Sequence, residues 1–92
     1  MKTLLISYDL GVPETSEDYK KLIDYIKSYG TRAKPLYSVW LIKTNKTCSQ
    51  VRDEIRDKTD SNDKTLVIDV TTADWASRGL GKDVTEWMKK NL

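Results

Sequence analysis

The stretch Lys2-Thr3-Leu4-Leu5-Ile6-Ser7-Tyr8-Asp9-Leu10 decides how the rest of the chain is read. Its alternation puts Leu4, Ile6, Tyr8 and Leu10 on one side of a strand and Leu5, Ser7 and Asp9 on the other. A strand apolar on both sides belongs in the middle of a sheet. The run closes on an acid and breaks at Gly11 and Pro13. A carboxylate at the exit of a buried strand has to be solvated, hydrogen-bonded, paired or metal-bound, because burying it alone costs several kcal/mol. Asp9 is therefore the first candidate for chemistry. The ordinary alternative is that it accepts backbone N–H bonds in the turn formed by Gly11, Val12 and Pro13, as Asp commonly does.

Outward from this strand, Thr15 or Ser16 caps a helix carrying Glu17 and Asp18 in its first turn, which suits the helix dipole. Its apolar stripe is Tyr19, Leu22, Ile23, Ile26 and Tyr29, with Gly30 as the expected stop. Leu36 to Ile42 is β-branched and aromatic, hence strand. Pro35 cannot donate to a ladder, so it belongs at a strand start, an edge or a bend; one long strand and two short ones meeting near Tyr37 are both open readings. Thr47-Cys48-Ser49-Gln50 fits a capping box opening a second helix, with Cys48, Val51 and Ile55 inward. Lys64 to Thr71 is a further strand, Ala73 to Gly81 a loop containing Trp75, and Asp83 to Leu92 a terminal helix.

This order predicts an α+β sandwich of ferredoxin-like βαββαβ topology over residues 1–72, with a C-terminal loop and helix over residues 73–92 packed on the same domain. Such a fold leaves its second sheet face open, with Leu5, Val67, Val39 and Leu41 expected there. Burying ~500 Å² of apolar surface is worth about 12 kcal/mol before association costs, so a symmetric homodimer through that face is expected.

Composition narrows the chemistry. The 92 residues are 38% hydrophobic and 33% charged, as in a single globular domain. There is no histidine and one cysteine, Cys48, which removes histidine-based nucleophile activation, most zinc sites and an internal disulfide. Carboxylates, hydroxyls, Lys and Arg remain, a set suited to Mg2+ or Mn2+ and to phosphate. The net charge of +2 is too small to mark a nucleic-acid binder by itself, so placement matters: Arg32, Lys34 and Lys43 flank the Trp40 segment, where they could grip phosphates while Tyr37 or Trp40 stacks on a base. Arg52 and Arg56 have Asp53 and Asp57 beside them, which favours a salt-bridged surface. No apolar run approaches the ~20 residues of a membrane span, and no signal-peptide pattern is present, so a cytoplasmic protein is expected.

The strand end Tyr8-Asp9-Leu10, the helix end Tyr29-Gly30 and the segment Lys34-Pro35-Leu36-Tyr37-Ser38-Val39-Trp40 together resemble the second CRISPR-associated protein family, small proteins of the adaptation complex. The likeness covers roughly residues 2 to 71, and the chain is similar too to the virulence-associated protein D ribonucleases. The resemblance implies a ferredoxin-like homodimer that binds RNA or DNA. It further implies a divalent-metal-dependent endonuclease or endoribonuclease activity in some members. In others it implies a non-catalytic adaptor holding DNA beside an integrase-like partner. On this likeness Asp9 matches the metal-binding and catalytic aspartate, Lys34 the basic position, Ser38 the serine and Trp40 the aromatic. With Arg32 and Lys43, Lys34 and Ser38 form the expected nucleic-acid-binding set. Three departures stand out: Leu41 occupies a position often acidic, Lys34 replaces an Arg and so lacks its bidentate fork, and residues 73–92 end in a helix rather than a short strand.

Overall fold

The computed structural model describes residues 1–13 and 15–92. Its elements run β1 (Lys2–Asp9), α1 (Glu17–Lys27), β2 (Arg32–Leu36), β3 (Val39–Thr44), α2 (Cys48–Arg56), β4 (Lys64–Asp69) and α3 (Lys82–Asn91). The four strands form one sheet in the order β2-β3-β1-β4, every neighbour antiparallel, so the expected ferredoxin-like arrangement with an added C-terminal helix is the fold. β1 is central, as its two-sided apolar pattern requires.

Local chemistry explains the helix boundaries. Ser16 caps α1 by accepting the Tyr19 amide, and Thr47 and Gln50 close a reciprocal capping box on α2 at 3.1 and 2.8 Å. Such caps are worth about 1 kcal/mol each. The stop of α1 is not Gly30: the helix ends at Lys27 with Ser28 as C-cap in right-handed geometry, and the Arg32 guanidinium donates to the Tyr29 carbonyl at 3.0 Å just beyond it. A polar cap does the work that a left-handed glycine was expected to do. A positive φ occurs instead at Gly79, in the loop before α3.

The main core lies between the sheet and α1 and α2. Leu4, Ile6 and Tyr8 of β1 and Trp40 and Ile42 of β3 meet Leu22 and Ile26 of α1 and Val51 and Ile55 of α2. Each such aliphatic, fully buried, stabilises the fold by roughly 1.5–3 kcal/mol. Trp40 donates its indole N–H to the Tyr8 hydroxyl at 3.3 Å, and Tyr8 meets Tyr19 edge-on at 6.1 Å between centroids. Beside the N-terminal end of β1, Glu54 takes bonds from Lys46 at 2.8 Å and Tyr25 at 3.1 Å. Burial, first of all, pushes the Tyr25 hydroxyl well above its ordinary value.

The second sheet face departs from expectation in two ways. Cross-strand register places Leu66 opposite Ser7 and Ile68 opposite Leu5, so these two residues, rather than Val67, join Leu5, Val39 and Leu41 there. Val67 sits opposite Ile6 and packs on the main core. Nor is this face open throughout. α3 and the preceding loop lie over the β2–β3 half, where Met88, Leu92, Trp75 and Leu80 enclose with Leu41, Val39 and Pro35 an apolar groove of about 440 Å³. The end of α3 is tied down by Thr3, whose buried hydroxyl donates to the Asn91 carbonyl, one of the unpaired carbonyls of a helix C-terminus. Leu5 of β1 also lines this groove, and β4 beyond it stays uncovered, leaving Leu66 56% and Ile68 42% exposed. Pro35 lies on the edge strand β2, next to a register shift between Ala33 and Leu36. No helix among the described residues is long and apolar enough to cross a membrane.

Candidate functional site: a lysine and tyrosine rim

The turn of hairpin β2–β3, at Tyr37 and Ser38, is pinned to β1 by the Tyr8 amide donating to the Ser38 carbonyl at 3.3 Å. Lys34 leaves β2 on the side of α1. Its ammonium lies over two rings at once, 5.1 Å from the Tyr37 centroid and 5.3 Å from that of Trp40. A cation over an aromatic face is held by the ring quadrupole while its remaining N–H groups stay available. Facing it across a recess of about 320 Å³ are Lys20, Lys27 and Tyr19 of α1, with Tyr8, Thr15 and Ser16 also lining it. Among the described lining residues one carboxylate, Asp24, lies with them. Three lysines thus face one acid among the described lining residues, a local excess of positive charge larger than the net charge of +2 suggests.

The expected site residues do not gather in one place. Arg32 and Lys34 lie two apart on β2, Arg32 opposite Ile42 and partly engaged with the Tyr29 carbonyl. Ser38 is in the hairpin turn, at the same sheet end as Asp9. Lys43 sits opposite Thr3 with its ammonium 3.5 Å from the Met1 carbonyl, so six strand residues, about 20 Å, separate its level from that of Asp9. Arg52 and Arg56 both contact Asp53, at 3.0 and 3.6 Å, as a salt-bridged helix surface.

Asp9 is exposed and sits opposite Lys64 at the end of β1, on the side of the sheet that carries Leu5 and Ser7. It does not serve the turn that follows. That role falls to Asp63, whose carboxylate accepts the Gly11 amide at 3.0 Å and the Asp60 amide at 2.8 Å, joining the β1 exit to the loop before β4. Gly11 passes so close that an added Cβ would stand 3.3 Å from the Asn62 amide nitrogen. Asp9 alone is a thin shell for a six-oxygen Mg2+ or Mn2+ ion, which would need waters, substrate or further carboxylates to complete it. Among the described residues no group of three or more His, Cys, Asp or Glu is placed to hold a metal ion.

Lys20, Lys27 and Tyr19 were not in the expected set. Their signal was present: Lys20 and Lys27 are seven apart, two helical turns, and so share a flank of α1. No family model matches the chain, and no solved structure matches it significantly.

Proposed function

We propose that this protein binds nucleic acid along the rim formed by α1 and the β2–β3 hairpin, acting as a dimeric adaptor. The observation that carries this reading is the Lys34 ammonium held over Tyr37 and Trp40 opposite Lys20 and Lys27, a pairing of phosphate-seeking charge with exposed ring surface. Leu66 and Ile68, exposed beside Leu5, supply the apolar surface through which two copies would associate. Fluorescence anisotropy with labelled oligonucleotides over a salt series tests the reading. Affinity should fall steeply with salt, and replacing Lys20, Lys27 and Lys34 together by Ala should lower the log–log slope by about 2. An unchanged slope in that variant would remove the rim from the interaction.

A second reading, metal-dependent phosphodiester cleavage at Asp9, is favoured by one observation: Asp63 has taken over the turn, leaving Asp9 exposed and uncommitted. It requires a second copy to bring its own Asp9 alongside. Cleavage that depends on Mg2+ or Mn2+ and disappears in Asp9→Asn would establish it, and cleavage that survives the substitution would refute it.

A further inference from the structure

We infer that the nucleic acid this rim selects is single-stranded, with an unstacked base received at the tyrosine recess between α1 and the hairpin turn; the inference rests on the binding reading above. A duplex presents only its phosphates and groove edges to a flat cationic surface, because its bases are stacked inside. A cationic rim alone would serve it. Here the lysines line a recess instead, and ring surface opens into it: Tyr37, 66% exposed, with half-buried Tyr19 across from it, while Tyr8 at 7% is part of the buried floor. Its volume of about 320 Å³ is of the order needed for one nucleotide rather than a helix backbone. The recess is also shared between two chemistries in the way a nucleotide is. Lys20, Lys27 and Lys34 offer charge to a phosphate, while Tyr37, with Tyr19 beside it, offers flat apolar area to a base.

Lys34 links the two. Its ammonium stands over one face of the Tyr37 ring at 5.1 Å, so a base stacking on the exposed remainder of that ring brings its own phosphate within reach of the same cation. Every base has a π-face, so this mode predicts tolerance of sequence together with preference for strand state. Trp40 does not take part in stacking, being only 6% exposed. It acts as the buried floor on which Lys34 rests.

The experiment compares labelled single-stranded DNA, single-stranded RNA and a duplex of the same sequence by anisotropy at fixed salt, with wild type and Tyr37→Ala. Single strands should bind at least tenfold more tightly than duplex. Tyr37→Ala should weaken single-strand binding about tenfold while changing duplex binding less than twofold, the equivalent of one lost stacking contact. Tyr37→Phe, which keeps the ring, should bind single strands within about twofold of wild type, a control for any effect of Ala on the hairpin. Equal affinity for duplex and single strand, or an equal loss on both in Tyr37→Ala, would overturn the inference while leaving the cationic rim as a duplex-binding surface. Absence of binding to all three probes would overturn both.

Discussion

Asp63 closes the gap between the β1 exit and the loop before β4, and removing it should measurably loosen the end of the sheet where Asp9 stands. In Asp63→Ala the amides of Gly11 and Asp60 lose a charged acceptor at 3.0 and 2.8 Å. Hydrogen bonds to charged groups contribute about 1.5–3 kcal/mol each, and solvent can replace part of both because the bonds are exposed. About 2 kcal/mol in total is the working figure, comparable with loss of a strong helix cap. A small gain opposes it, since Asp63 is one of the negative neighbours of Asp60. Asp63→Asn retains one carbonyl acceptor and presents an NH2 to the other amide, so about 1–1.5 kcal/mol is expected. For a domain of this length 1 kcal/mol moves Tm by about 4–8 °C, so the Ala variant should melt roughly 10 °C lower. Urea unfolding followed by the fluorescence of buried Trp40 gives the free energy. Hydrogen exchange at the Gly11 and Asp60 amides gives the location. If Asp63→Ala unfolds within about 0.3 kcal/mol of wild type and those two amides keep their protection, the clamp is not a stabilising element.

Trp40→Phe removes the indole donor to Tyr8 as well as some packing and should cost about 1–3 kcal/mol; combined with Tyr8→Phe in urea melts it should show coupling of at least 0.5 kcal/mol, and strict additivity would contradict the 3.3 Å bond. Asp60, facing Asp18 first of all and Asp63 next, holds its proton more tightly in the folded chain than in the unfolded one. The stabilisation from that proton is therefore lost as pH rises through the folded value, and Asp60→Asn should be the more stable protein at pH 7, with its advantage fading on acidification below the carboxylate range. Glu54 has the opposite sign: its hydrogen bond with Lys46, above all, lowers its pKa, so its contribution is present above the ordinary carboxylate value and lost as pH falls through the lowered one. The groups are partly exposed, so Glu54→Gln should cost under about 1 kcal/mol at pH 7, and thermal melts should show less in strong salt and nearly nothing in acid. Sedimentation equilibrium should give twice the chain mass for wild type and one chain mass when Leu66 and Ile68 are both replaced by Lys; a wild-type monomer at high concentration would refute association through that half of the sheet.

The features readable in advance were those encoded within a few residues of one another. Ser16, the Thr47–Gln50 box and the alternation of β1 and β4 each contain their own geometry, and they gave the element order from which the topology follows. What escaped depends on partners far along the chain. The alternation in β4 separates Leu66 and Ile68 from Val67 but cannot tell which set faces the helices; pairing with β1 decides it. Asp9 and Asp63 are both acids beside turns, and only the distance of Asp63 from Gly11, 52 residues on, shows which one holds the bend. Gly30 misled because a polar C-cap needs no left-handed residue. The lysine and tyrosine rim was half visible, through Lys34 and Tyr37, while its other wall came from a helix flank that pattern reading treats as mere solvent-facing charge.

Pro35 has a bearing on how many chains can join. An added strand needs a regular ladder along the rim it meets, and on the β2 side a proline without an amide hydrogen sits beside a break in register. Only the β4 side therefore invites extension. Two molecules meeting at β4 would turn their proline-bearing margins outward, where the irregular β2 edge is a poorer template for a third molecule than a regular strand.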